Sequence, residues 1–388
     1  MKPTKAWLAG VGTVALVVSA CGSSGGSGSG KLTKVGAGEG ALSIIAWAGY
    51  AEDGSTDPKQ NWVGPFAEKT GCKTTVKVGN TSDEMLQLMR TGDYDGVSAS
   101  GDATLRLIAA GDVTEVNTAL VPNYKDISAF LKDQNYNSKG GKQYGIPHGW
   151  GANYLMWNTD VVKPDPDSWG AVFDANSPYK GKVTAYDAPI YIADAALYLM
   201  KTKPELGIKD PYSLDDAQFK ATVDLLKAQK GIIGSYWSLY TDAQGAFTQG
   251  NTVIGTTWQV IKGLVDIDAK AKVKAIIPKE GATAWSDTWM VSSKAKHPNC
   301  MYLWLDYITS PDVQAQVAQW FGEAPANPKA CDVSADMKTH CATYQATDEA
   351  FHKQLYYWTT PTKECLDGRG AKCVAFADWA KAWTEIKG

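Results

Sequence analysis

From Leu42 onward, short apolar runs alternate with stretches of helical period. "LSIIAWAG" (42–49) reads as a strand, "WVGPFAEKTG" (62–71) as a helix stopped by glycine, and "CKTTVKVG" (72–79) as a second strand. "SDEMLQLMRTG" (82–92) opens on a serine cap and ends on Gly92. "YDGVSAS" (94–100) follows as a strand and "DATLRLIAAGDV" (102–113) as a helix ended by Gly111. Such alternation predicts an α/β chain with a mostly parallel sheet and helices on its faces. Ligands of these sheets sit at the carboxyl ends of the strands, which here fall at Trp47 to Tyr50 and Ser98 to Asp102.

The texture changes at "QYGIPHGWGANYLMWNTDVV" (143–162), which predicts a strand crossing into a second lobe. That lobe takes in "SPYKGKVTAYDAP" as strand and loop, helices in "IADAALYLMKT" and "LDDAQFKATVDLLKAQKG", and "AFTQGNTVIGTTW". "AKVKAIIPKEGATAWSDTWMVS" (271–292) reads as the strand that returns. "PNCMYLWLDYITSPDVQAQVAQWFG" (298–322) is helical, its second part starting at Pro311. The expected division is 41–152 and 286–388 for the first lobe with its C-terminal segment, and 153–285 for the second. No internal repeat is visible.

Composition changes this picture at the N-terminus. Lys2 and Lys5 precede an apolar stretch from Ala6 to Val18 and then Ser19-Ala20-Cys21, the three parts of an export signal. The stretch is too short to span a bilayer as a helix. Val-Ser-Ala-Cys before a Gly/Ser tract resembles the bacterial lipobox. Residues 1–21 are therefore expected to be a lipoprotein signal with lipid on Cys21, and 22–40 a flexible tether. The expected location is extracytoplasmic, anchored to the membrane.

Six further cysteines, Cys72, Cys300, Cys331, Cys341, Cys365 and Cys373, suggest disulfides outside the cytosol. Six permit fifteen connectivities. The short spacings favour 331 with 341 and 365 with 373, which would leave Cys72 for Cys300. No C-x-x-C or H-x-x-x-H spacing supports a zinc site, and neither a metal nor a cofactor is expected.

A net charge of −3, from 38 Lys+Arg against 41 Asp+Glu, and the absence of a basic run give no reason to expect nucleic acid. His148, His297, His340 and His352 lie in unrelated contexts, and there is no G-x-S-x-G elbow or P-loop, so the chain does not read as an enzyme. Aromatic residues are the outlier, with 15 Trp and 18 Tyr. In "ATAWSDTWM" (282–290), Asp287 stands between Trp285 and Trp289. A carboxylate among rings with no partner costs several kcal/mol, so either it is wet or a cation comes to it.

Five strings, "YGIPHGWGANYLMWN", "SWGAVFDANSPYKGKV", "FTQGNTVIGTTW", "PKEGATAWSDTWMVS" and "SPDVQAQVAQWFGEAPANP", stand in an order and spacing that resembles the polyamine-binding family of extracellular solute-binding proteins. These are the spermidine/putrescine receptors of ABC importers. The resemblance runs from about Leu42 to Trp358. It implies a two-lobed periplasmic-binding-protein-like fold of type II, a cleft that closes by hinge motion, and ABC permease subunits as partners; the chain is expected to be a monomer. It also implies a linear organic cation between rings and carboxylates, a mixture that suits alkylammonium chains. Trp285 and Asp287 match the family's Trp-x-Asp, for stacking and for an internal amine. Trp47 and Tyr50 match an aromatic pair on the rim, Ser100 a cleft hydroxyl, Asp187 a carboxylate at the far end, and Trp258 a ring wall.

The chain also departs from that pattern. Ala48 and Gly49 replace a polar or acidic pair, and Ile190 replaces a second acid three residues after Asp187. Asp102, which joins the expected ligand set, replaces an aromatic. Counter-charge is thus lost at one place and gained at another. Two other receptor classes share the broad features. A sugar receptor needs neutral hydrogen-bonding groups more than acids beside rings, and a ferric receptor needs paired tyrosines, for which Tyr356 and Tyr357 are available.

Overall fold

The computed structural model describes residues 31–388. The expected signal and Cys21 lie outside the described residues. Among those described, no helix is long and apolar enough to cross a membrane.

The first lobe is built on parallel strands Ala41–Ala46, Lys73–Val78 and Gly96–Ala99, with Ala41–Ala46 in the middle. Helices Val63–Thr70, Ser82–Thr91 and Gly101–Ala110 connect them or follow them. Each of these helices ends on a glycine in the left-handed region: Gly71, Gly92 and Gly111. A glycine there accepts the reversal without a Cβ clash. Thr81 rather than Ser82 caps the second helix, accepting from the Glu84 amide.

The second lobe repeats the scheme with parallel strands Val183–Tyr186, Ile233–Trp237 and Ile254–Trp258. Two long strands join the lobes. Gly145–Asn158 pairs through residues 145–152 with the antiparallel strand Ala282–Val291, and through residues 153–158 with Ile254–Trp258 and Val273–Ile276. Ala282–Val291 pairs in turn with Gly96–Ala99. Nearly every side chain of these two strands is buried, which is why they read as almost continuous apolar runs. The run expected as one returning strand over 271–292 divides in two at a turn closed by Gly281, whose φ is +85°.

Three disulfides form: Cys72–Cys300, Cys331–Cys341 and Cys365–Cys373. The first ties the start of strand Lys73–Val78 to helix Pro298–Ile308, and all three match the expected pairs.

Two expectations are corrected. The tether does not extend to residue 40. Glu39 accepts hydrogen bonds from the Asn299 and Cys300 amides at 2.9 Å each, at the start of helix Pro298–Ile308, and Gly36 donates to Asn299 Oδ1. A carboxylate at free helix-terminal N–H groups is a strong local anchor. Nor does all of 286–388 stay with the first lobe. Strand Leu355–Tyr357 pairs with Ala282–Ala284, and Thr360 donates to the Gly101 and Asp102 carbonyls. The chain then crosses over. Helix Phe376–Lys387 packs on the second lobe, with Trp379 against Phe219 and Trp383 against Tyr191.

Candidate functional site

The carboxyl ends of both parallel sheets face each other across one cavity of about 680 Å³, counting its mouth. From the first lobe come Trp47 and Ala48, Gly79 and Asn80, and Ser100, each just past a strand, with Ser82. Tyr186, Ser238, Leu239, Tyr240 and Trp258 come from the second lobe, and Trp285 and Asp287 from the crossing strand. Phe321 and Trp358 complete the wall.

Seven rings stand in that wall. Tyr186 stacks on Trp358 with centroids 5.7 Å apart and planes at 12°. Trp285 meets Trp258 and Phe321 edge to face. These geometries fix the rings and leave faces for an apolar chain or a cation. Two glycines permit the close fit. A Cβ on Gly151 would run into the Trp285 indole, and one on Gly149 into the Glu323 carboxyl. The "GWG" of the crossing strand is therefore a demand of packing.

Among the described residues, Asp287 is the single carboxylate in the cavity wall. It is 4% exposed. Ser100 donates its hydroxyl to Oδ1 at 2.5 Å, and the Tyr50 hydroxyl lies 2.7 Å from Oδ2. Burial pushes its acid up to about 6, against the opposing effect of those two hydroxyls. Near neutral pH the group is thus ionised but poorly solvated.

Tyr50 also touches Glu323 Oε2, at 2.9 Å. A phenol has one hydrogen, so it cannot donate to two carboxylates. The arrangement is satisfied when Tyr50 donates to Asp287 and a protonated Glu323 donates to Tyr50. Burial and the nearby Asp287 both hold the Glu323 acid well above the usual carboxylate range. His148 Nε2 stands 3.6 Å from Glu323, beyond hydrogen-bond reach, and burial lowers its pKa to about 3. The histidine is neutral, and the proton sits on Glu323.

The structure brings Trp47, Ser100, Trp258, Trp285 and Asp287 to the cavity. Tyr50 is not on the rim; it is fully buried behind Asp287, and its indirect role is to hold that carboxylate. Asp102 stands behind the wall, where its carboxyl accepts from Ser82 at 2.9 Å and burial raises its acid to about 7. Asp187 is turned away from the cavity. Its carboxylate accepts from Lys387 Nζ at 2.6 Å and Trp383 Nε1 at 3.0 Å, pairing with the C-terminal helix. Ile190, at the position of the missing acid, is core. The tyrosine pair separates: Tyr356 accepts from Lys201, and Tyr357 faces His352.

Sequence reasoning missed Glu323, Tyr186, Tyr240, Phe321 and Trp358. The signal for Glu323 was available. It is the one acid in "QWFGEAPANP", between an apolar helix and a buried turn, a place where a charge requires a partner.

A family model described as bacterial extracellular solute-binding protein matches residues 61–345. The chain belongs to this family. Its members are binding proteins of importers rather than enzymes. The chain is 24% identical over 339 residues to the putrescine/cadaverine-binding protein of Pseudomonas aeruginosa, covering 83% of this chain and 88% of that one. It is 26% identical over 333 residues to the putrescine-binding periplasmic protein PotF of Escherichia coli, covering 80% and 88%. Among solved structures, the spermidine/putrescine ABC transporter substrate-binding protein PotD of Streptococcus pneumoniae superposes with a TM-score of 0.66 at 18% identity, over 90% of this chain and 99% of that one. MotA of A. tumefaciens in complex with glucopine gives the same score and identity over 90% and 100%. These likenesses establish the two-lobed α/β fold of this solute-binding family.

The proton assignment makes a testable statement. Glu323→Gln keeps a neutral donor toward Tyr50, so stability should change by less than about 1 kcal/mol, whereas Glu323→Ala should cost roughly 2 kcal/mol or more by removing that donor and leaving a buried void. Chemical denaturation measures both. A Gln variant as damaged as the Ala variant would mean that Glu323 carries charge.

Proposed function

We propose that this protein is the substrate-binding component of an ABC importer and that it takes an organic amine, of the polyamine class or related to it, into the cavity between its lobes. The observation that carries this reading is Asp287. It is a buried carboxylate held by two hydroxyls, set in a wall of seven rings, with no cationic side chain lining the same cavity. An ammonium supplies the missing counter-charge, and the rings accommodate the alkyl body. Putrescine and cadaverine, for which the relatives from Pseudomonas aeruginosa and Escherichia coli are named, belong to the same chemistry.

Closure follows from the architecture. Both lobes donate wall residues, and two strands cross between them at 150–153 and 285–288. Rigid lobes on few crossings move as a hinge, and a closed receptor is the form a permease would engage. In this reading the mature chain is a monomer held to the outer face of the cell membrane by lipid on Cys21. The Val-Ser-Ala-Cys junction motivates that anchor. Cys21→Ser should move the protein to the soluble fraction, and membrane retention of the variant would overturn the anchor without touching the binding site.

Calorimetry on the mature domain tests the binding reading. Asp287→Asn keeps the shape and removes the charge, which should weaken amine binding by about 2–5 kcal/mol. Trp285→Ala should cost less for its cation–π contact, roughly 0.5–2 kcal/mol, with lost packing added. A silent Asp287→Asn beside an inactive Trp285→Ala would show that the slot reads rings and not charge, and a neutral ligand such as a sugar would take precedence.

A further inference from the structure

The charges around the cavity restrict the amine more narrowly than the family resemblance does. A linear diamine carries two ammonium groups, one at each end, and each needs its own compensation on leaving water. The wall offers one carboxylate, Asp287. Three buried or half-buried acids near it are committed elsewhere. Glu323 is bonded to Tyr50 and lies outside the wall. Asp102 stands behind Ser82 and accepts from its hydroxyl. Asp187 pairs with Lys387 on the C-terminal helix.

A second, independent feature points the same way. Four helices of eight residues or more begin at the wall: Ser82–Thr91, Gly101–Ala110 after Ser100, Tyr240–Thr248, and Gln259–Asp268 after Trp258. The N-terminus of a helix carries about half a positive charge. Ser100, just before one of them, is itself the donor to Asp287, and the other three start at Ser82, Tyr240 and Gln259. The positive ends suit the Asp287 carboxylate. They oppose any cationic group that is not directly paired with it.

We infer that the ligand carries one ammonium group, bound at Asp287, and no second cationic group, its remaining length lying among Tyr186, Trp258, Trp285 and Trp358. The inference rests on the reading of the site as an amine receptor. It separates this chain from its putrescine- and cadaverine-binding relatives, since both of those ligands are diamines.

The test is a matched pair of nearly equal size, n-pentylamine and butane-1,4-diamine, which differ by one terminal methyl against one terminal ammonium. Titration calorimetry with the mature domain at neutral pH and moderate salt should show the monoamine binding at least tenfold more tightly than the diamine. Asp287→Asn should weaken that monoamine binding by about thirtyfold or more. A diamine that binds as tightly as the monoamine, or more tightly, would overturn the inference and leave the amine reading standing. Failure of both amines to bind a folded domain would overturn the amine reading and the inference with it.

Discussion

Burying the Asp287 carboxylate in a strand shared by both lobes costs several kcal/mol unless other groups replace its lost hydration. Ser100 and Tyr50 replace part of it, and their hydroxyls reach the two carboxylate oxygens from strand ends of the first lobe. The remainder is left for whatever enters the cavity. Around this one group the neighbouring choices fall into place. Glu323 keeps a proton so that Tyr50 can direct its own to Asp287, His148 stays neutral, and Gly149 leaves room for the Glu323 carboxyl. An additional buried charge at any of these positions would compete with the one that faces the ligand.

The placement of Asp287 also links recognition to shape. Its strand pairs with Gly96–Ala99 of the first lobe and with the first half of the long crossing strand, whose second half belongs to the sheet of the second lobe. A ligand held at this carboxylate would therefore sit where the two lobes join, beside rings from both. The C-terminal segment adds a third path between lobes. It touches the Gly101 and Asp102 carbonyls through Thr360 and then anchors on the second lobe through Trp379 and Trp383.

Most of the scaffold was legible in the sequence because its signals are local. Glycine stops at 71, 92 and 111, the apolar run of 145–158 and the Pro311 helix start are written within a few residues of where they act. The short disulfide spacings belong to the same kind. Trp285 and Asp287 were legible for a similar reason, as a charge between rings on one strand. What failed depended on distant partners. Asp187 looks like a ligand acid until the C-terminal helix delivers Lys387 to it. Residues 31–40 look like linker until Glu39 meets the free amides at the start of helix Pro298–Ile308. Glu323 and Tyr50 acquire their roles only when the fold places them on one proton.

The central claim is that an ionised Asp287 is the counter-charge of the bound cation, and the pH dependence of amine affinity tests it most directly. Alkylamines keep their proton through the whole range. The Asp287 acid is raised to about 6 in the free protein, and ammonium binding requires it ionised. Affinity should be flat above about pH 7 and fall toward tenfold per pH unit below about pH 6. Asp102, with an acid near 7, titrates close by, so the same series on Asp287→Asn serves as the control and should lose the slope. An affinity unchanged between pH 7.5 and pH 5, or a slope retained in Asp287→Asn, would contradict the account.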